Sequence, residues 1–246
     1  MDSETLTSDR GSSAAPGPAR GKDAMITLHH VPQSRSMRVL WLLNELGVPY
    51  QLVVHPFDKT LRNPEYLTIS PAGRVPGLEI DGETMFESGA MLEYLCERFP
   101  EAGMGRLPGA LDRVDWLQWV HFAETVSQHC AALTQQHVAL YEDHMRSPIV
   151  MKLEAARLKK CYAAIEARLS TPVENRDYLL TGGFSACDIC VGQAVYMARN
   201  FARHDSHPEL TRWMERITER PGFQAALPGE DDTLLYTKPF YEVPNG

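Results

Sequence analysis

A chain of 246 residues, 43% of them hydrophobic and 23% charged, has the length and composition of a globular protein that can bury a large core. Its net charge of -8 argues against nucleic acid or an anionic membrane as the main partner, and no apolar run approaches the roughly 20 residues of a membrane span. Five cysteines, an odd number with no apolar signal segment before them, imply reduced thiols and a cytoplasmic protein.

Residues 1–24 are rich in Ser, Gly, Ala and Pro and carry only Met1 and Leu6 as large apolar side chains, so they are expected to form a disordered tail. The run Met25 to His30 reads as a strand. After the turn-rich "VPQSRS", residues 37–47 place Val39, Leu40, Leu43 and Leu46 at helical spacing, with Gly47 as the stop. Residues 50–54 read as a second strand, and 63–69 as a short helix with Asn63 as N-cap and Pro64 at its first position. "GLEI" and "TMF" flank Asp81-Gly82-Glu83, where Asp-Gly signals a hairpin. Residues 88–99 return to helical spacing until Pro100. The order β-α-β-α-β-β-α predicts a compact α/β unit whose first two strands are parallel and whose hairpin adds an antiparallel edge.

A linker at 105–110 precedes a helical half at 111–228. It contains one long periodic segment, 111–140, with Trp116 and Trp119, an amphipathic helix at 149–170, and helices at 184–200 and 208–223. The helix from Ser185 opens with a complete start signal: Ser185 and Asp188 form a capping box, and Phe184 with Ile189 a hydrophobic staple. Residues 229–246 show no period and are expected to be a surface tail.

Two local features leave both a structural and a functional reading open. Val75-Pro76 puts a residue without an N–H at the start of a strand, and Glu87-Ser88 closes the hairpin with a charge and a hydroxyl. Cys187 and Cys190 have C-x-x-C spacing but no second pair for zinc, and His29-His30 face opposite sides of a strand, so no metal site is expected.

An α/β unit in this order followed by a helical half resembles the cytosolic glutathione transferases over about residues 25 to 228. The similarity rests on "HHVPQSRSMRVLWLLNELGVPYQ", which looks like the fungal and bacterial branch, on Val75-Pro76 with Glu87-Ser88, and on the capped helix from Ser185. It implies a thioredoxin-like domain with a mixed four-stranded sheet at 25–104 and an all-α domain at 111–228. It also implies a cis Val75-Pro76 bond that turns the Val75 backbone toward the cysteinyl part of glutathione. Glu87 and Ser88 would take the γ-glutamyl group, with Ser88 also able to serve simply as the helix N-cap, and Arg74 the glycyl carboxylate or solvent.

A thiol must be ionised for such chemistry, and a hydroxyl beside a helix N-terminus favours the thiolate. No Tyr or Cys occurs between 25 and 49, so Ser34 and Ser36 are the candidates: Ser34 matches the branch better, and Ser36 is also the natural N-cap. Arg35 can add positive charge. The resemblance implies conjugation of glutathione to small hydrophobic electrophiles, with peroxidase activity as an extension, in a detoxifying homodimer that uses glutathione as co-substrate and needs no cofactor. A non-catalytic glutathione-binding or regulatory protein is the alternative. The electrophile is expected on the long helix near Trp116, Trp119 and Phe122, but an aromatic stripe at helical spacing is more often core, so these residues are not assigned to the site.

Overall fold

The computed structural model describes residues 25–171 and 176–243. The expected tail at 1–24 and the last three positions lie outside the described residues. Strand β1 (Ile26–His30) pairs in parallel with β2 (Gln51–Val54) and antiparallel with β3 (Gly77–Ile80), which pairs antiparallel with β4 (Glu83–Phe86). The sheet order is therefore β2-β1-β3-β4, the mixed four-stranded sheet of a thioredoxin-like domain. Asp81 and Gly82 both have positive φ, 51° and 89°, which is what a two-residue turn matching the strand twist demands.

Helix α1 (Ser36–Leu46) follows β1 and stops at Gly47, whose φ of 62° is the left-handed conformation that glycine adopts freely. Helix α2 is only Pro64–Leu67, shorter than expected, with Asn63 at the cap position but no side-chain cap bond. Helix α3 (Ser88–Arg98) completes the first half.

The second half is helical: α4 (Arg113–Thr134), α5 (Pro148–Ser170), α6 (Ala186–Ala198), α7 (Pro208–Thr218) and the short α8 (Pro221–Gln224). The periodicity of 111–140 resolves into α4 plus a π-helical turn over Gln135–Ala139, a distortion that often sits beside a ligand site. Helix α6 carries the expected capping box, Asp188 Oδ2 accepting from the Ser185 amide at 3.0 Å. Asp188 goes further than a cap, because its other oxygen accepts from the Leu179 amide and from Trp213 Nε1. Burial pushes this carboxyl up to about 6 despite those donors.

One core runs through both halves. Fully buried Trp41, Leu42 and Leu43 of α1 belong to the same cluster as Ile189 and Val191 of α6 and Trp213 of α7. Gly192 of α6 allows close packing there: a Cβ would lie 2.4 Å from Ile217 and 3.4 Å from the Trp41 ring.

Two further expectations about local structure fail. Residues 229–243 have no regular structure, yet they are not a surface tail. Tyr236 and Tyr241 are each only 6% exposed, stacked edge-on or tilted against Phe201, and the Tyr241 amide donates to the Asn200 carbonyl. Two large aromatics removed from water outweigh the absence of helical or strand hydrogen bonds. Ser36 is likewise not the N-cap of α1. The helix begins at Ser36 with Arg35 in the cap position, and the Ser36 side chain is fully buried and turned back toward β1.

Candidate active site between the two halves

A cleft of about 1000 Å³ separates the sheet-bearing half from α4 and α6. Three sequence segments form its first wall: the turn Gln33–Arg35, the stretch Phe57–Arg62, and Ala72–Val75. The turn after β1 is tightened by Gln33, a non-glycine residue at φ 56°. Ser34 is half-buried and faces the cleft, while Ser36 does not line it.

The two hydroxyls nonetheless belong to one unit. Ser34 Oγ lies 2.7 Å from Ser36 Oγ, and the Ser36 amide donates to Ser34 Oγ at 3.2 Å. Ser36 Oγ in turn lies 2.7 Å from His30 Nδ1 and accepts from the Val31 amide at 3.2 Å. Burial pushes the His30 imidazole down to about 4, with the charge of Asp232 offsetting part of the fall.

Across the wall, the Val75–Pro76 peptide bond is cis. The ladder between β1 and β3 ends at His29↔Gly77, so Val75 lies beyond the last strand pair and its backbone is not part of the sheet. The Arg74 carbonyl is held by the Tyr66 hydroxyl at 2.8 Å, and the exposed Arg74 side chain lines the cleft. Gly73, at φ 59°, allows this bend because a Cβ would stand 2.9 Å from the Leu61 carbonyl oxygen.

Glu87 and Ser88 follow directly after the last pair of the hairpin, Gly77↔Phe86, at the same end of the sheet as Val75 and Pro76. Glu87 is exposed and strained at φ 76°, in the cap position of α3. Ser88 is the first residue of α3 rather than its N-cap, and is 5% exposed. Neither belongs to the lining of the cleft itself.

Arg38 is the residue that sequence reasoning missed. In the helical pattern it looks like an ordinary charged position, yet its side chain is fully buried. Its Nε and Nη2 donate to Gln193 Oε1 at 3.1 and 3.0 Å, Nη2 also to Ser127 at 2.9 Å, and Nη1 to Ser88 at 3.4 Å and to Glu124. All five N–H donors are used, which is what makes a buried guanidinium tolerable. Arg35 pairs with the same carboxylate, Nη1 to Glu124 Oε2 at 2.8 Å. Burial opposes the charged form of Glu124, but Arg38 and Arg35 outweigh it and hold the carboxyl below its usual range. Gln193 closes the set by donating from Nε2 to the Ser34 carbonyl at 3.1 Å. The only local hint was an Arg at the position of α1 facing the second half, one turn before Trp41.

The second wall lies on the long helix, but farther along it than its aromatic residues. Trp116 and Trp119 are 2% and 6% exposed and belong to the core, and Phe122 faces a small separate recess beside His129 and Cys161. The cleft is lined instead by Ser127, Cys130, Ala131 and Thr134, one to three turns farther along α4, with Tyr141 and Met197. Rings as large as tryptophan gain more from the core than from a solvated wall. Leu235 and Tyr236 of the C-terminal segment complete it, Tyr236 sharing a 2.7 Å hydroxyl contact with Thr134. Among the described residues, no group of three or more His, Cys, Asp or Glu side chains is placed to hold a metal ion.

A family model described as "Glutathione S-transferase, N-terminal domain" matches residues 28–103, and one described as "Glutathione S-transferase, C-terminal domain" matches 131–221. Glutathione S-transferase 4 of Zea mays is 31% identical over 191 residues, covering 75% of this chain and 83% of the relative. The chain belongs to the glutathione S-transferase family. Two further relatives are glutathione S-transferase 3 of Schizosaccharomyces pombe, 27% identical over 85% of this chain and 90% of its own, and the disulfide-bond oxidoreductase YfcG of Escherichia coli, 27% identical over 82% and 94%. A solved glutathione transferase homolog from Lodderomyces elongisporus superposes with a TM-score of 0.73 at 19% identity, covering 82% of this transferase and 97% of that chain, which speaks for the fold alone. In family and fold the protein is a glutathione transferase. No helix among the described residues is long and apolar enough to cross a membrane.

Proposed function

We propose that this transferase joins the thiolate of glutathione to small hydrophobic electrophiles in the cleft between its halves. The observation that carries the reading is the meeting of Ser34 with the Arg74–Val75 edge and with apolar residues of α4 in one cavity. The sulfur attacks an electrophilic carbon, the leaving group departs with its electron pair, and the thiol proton goes to solvent. Ser34 donates to the sulfur. The free backbone of Val75 beside Pro76 pairs with the cysteinyl part as an added strand would. Glu87 and Ser88, at the same end of the sheet, take the ammonium and carboxylate of the γ-glutamyl group, the latter at the N-terminus of α3. Arg74, with Lys59 and Arg62 in the same wall, takes the glycyl carboxylate.

In this reading residues 25–104 bind glutathione, 105–110 link, and 111–228 with Leu235 and Tyr236 hold the electrophile. The protein works as a cytoplasmic homodimer in detoxification, requires no metal or further cofactor, and accepts hydroperoxides in place of carbon electrophiles.

Similarity to a disulfide-bond oxidoreductase favours a second reading, thiol–disulfide exchange. The cysteine that lines the cleft, Cys130, is a poor agent for it, because burial pushes its thiol up to about 11.

The test is retention on immobilised glutathione followed by conjugation and hydroperoxide assays on wild type, Ser34→Ala and Ser36→Ala. Retention with conjugation that falls at least tenfold in Ser34→Ala is expected. Failure to bind glutathione sinks the reading. Binding without turnover of any of several electrophiles assigns a regulatory binder, and turnover of disulfides alone assigns the exchange reaction.

A further inference from the structure

We propose that His30 is a positioning residue of the thiol site: by donating from Nδ1 to Ser36 Oγ, it turns the Ser36 hydroxyl onto Ser34 and leaves the Ser34 proton for the glutathione sulfur. The inference rests on Ser34 being the residue that meets the sulfur.

A serine hydroxyl has one proton and two acceptor positions. Ser36 Oγ stands at 2.7 Å from both His30 Nδ1 and Ser34 Oγ, and the Val31 amide, at 3.2 Å, uses one acceptor position. Of the two short contacts, one must therefore be given and the other received. The Val31 carbonyl, at 3.3 Å, is the weaker outlet for the Ser36 proton.

Only two chains satisfy both short contacts. In the outward chain His30 Nδ1–H donates to Ser36, and Ser36 donates to Ser34. Ser34 Oγ then receives from the Ser36 hydroxyl and from the Ser36 amide at 3.2 Å, so both acceptor positions are filled and its own proton is the one group left to face the cleft. Hydrogen bonds received in series also polarise the last O–H and make it a better donor. In the inward chain Ser34 gives its proton to Ser36 and Ser36 gives its own to Nδ1. A thiolate would then meet only oxygen lone pairs, which repel it.

The choice between the chains is the choice of ring tautomer at His30, because a neutral imidazole carries its proton on one nitrogen only. His30 is 4% exposed and its own carbonyl receives the His55 amide at 2.8 Å, so the ring is fixed on the strand. The charged group that acts on it is Asp232. Neither His30 nor Ser36 lines the cleft, whereas Gln33, Ser34 and Arg35 do. His30 thus acts through Ser36 and never touches the ligand.

Three measurements on the full chain decide it. In protein with ¹⁵N-labelled histidine and saturating glutathione, the His30 signals should report a proton on Nδ1, and a proton on Nε2 overturns the inference. The near-ultraviolet absorbance of bound thiolate against pH gives the thiol pKa. His30→Leu should raise it by about one unit, a tenfold fall in the acid dissociation constant of the bound thiol. His30→Asn, whose amide nitrogen can stand where Nδ1 stood and donate, should stay within a few tenths of wild type. The dissociation constant for glutathione should change less than about twofold in either. A wild-type pKa in His30→Leu, or an asparagine variant as impaired as the leucine one, overturns the inference. If His30→Leu does not fold, the asparagine variant and the tautomer still decide. Ser34→Ala separates the two levels: if it leaves the thiol pKa unchanged the Ser34 reading falls, and if it raises the pKa while His30→Leu does not, only the role of His30 falls.

Discussion

The backbone amide of Tyr236 donates to Gln33 Oε1 at 2.7 Å, joining residues 203 positions apart on the wall of the same cleft. Gln33 precedes Ser34, and Tyr236 closes the opposite wall of the cleft. The C-terminal segment is thereby fastened to the turn that presents the candidate hydroxyl.

Gln33→Ala removes the acceptor and strands a half-buried amide, a loss of about 1 kcal/mol concentrated in that segment. Limited chymotrypsin digestion should cut after Tyr236 and Phe240 several times faster in the variant, at unchanged global melting temperature. Deleting residues 233–246 removes Leu235 and Tyr236 from the wall. It should raise KM for an apolar electrophile severalfold while leaving KM for glutathione within about twofold.

Arg38 makes the opposite kind of contact, buried and complete. Arg38→Met leaves the Glu124 carboxylate with Arg35 alone and takes donors from Ser88, Ser127 and Gln193. Removing one partner of a buried ion pair costs about 3–5 kcal/mol, and urea denaturation should show a loss of that order. Arg38→Lys should recover little, since one ammonium cannot reproduce five donors in a plane.

Acid stability should carry two opposed signatures. His30 has a folded-state pKa of about 4 against an ordinary 6.5, so stability is full above 6.5 and falls as pH drops toward 4. Asp188, at about 6 against 3.8, does the reverse and relieves the folded state as pH drops from 6 to 3.8. Each spans roughly 3 kcal/mol. The two largely cancel in wild type, and His30→Asn should unmask Asp188: its stability relative to wild type should rise by about 2–3 kcal/mol between pH 7 and 4.5, read by urea titration at each pH.

Gly192→Ala should destabilise by about 1–3 kcal/mol through overpacking, because the new methyl meets Ile217 at 2.4 Å and the Trp41 ring at 3.4 Å. Ile217→Val in that background should restore part of the loss by removing the nearest methyl, as thermal unfolding of the single and double variants would show.

Much of the fold was legible because its signals are local. Gly47 ends α1, Asp81-Gly82 turns the hairpin, and Ser185 with Asp188 starts α6, each within a few residues of the element it controls. The site was legible only in part. Ser34 and Val75-Pro76 stand out against their own neighbours in sequence. Arg38 does not, since its partners Ser127 and Gln193 are 89 and 155 residues away and no pattern in α1 announces them. The aromatic residues of α4 point to the right helix but not to the wall: the stripe of Trp116 and Trp119 is core, as such spacing more often is, and nothing local marks the stretch from Ser127 to Thr134 as the lining. Tyr236 and Tyr241 sit in a stretch without period, where burial comes from a distant surface rather than from any repeat.

The guanidinium of Arg38 also bears on how modular this protein is. It belongs to the sheet-bearing half, but Glu124, Ser127 and Gln193 belong to the helical one. A chimera that keeps the first half and borrows a second from a distant relative would inherit a charge built for partners it no longer has. The two halves are therefore exchangeable only as a matched set, and a graft would have to carry those three side chains with it.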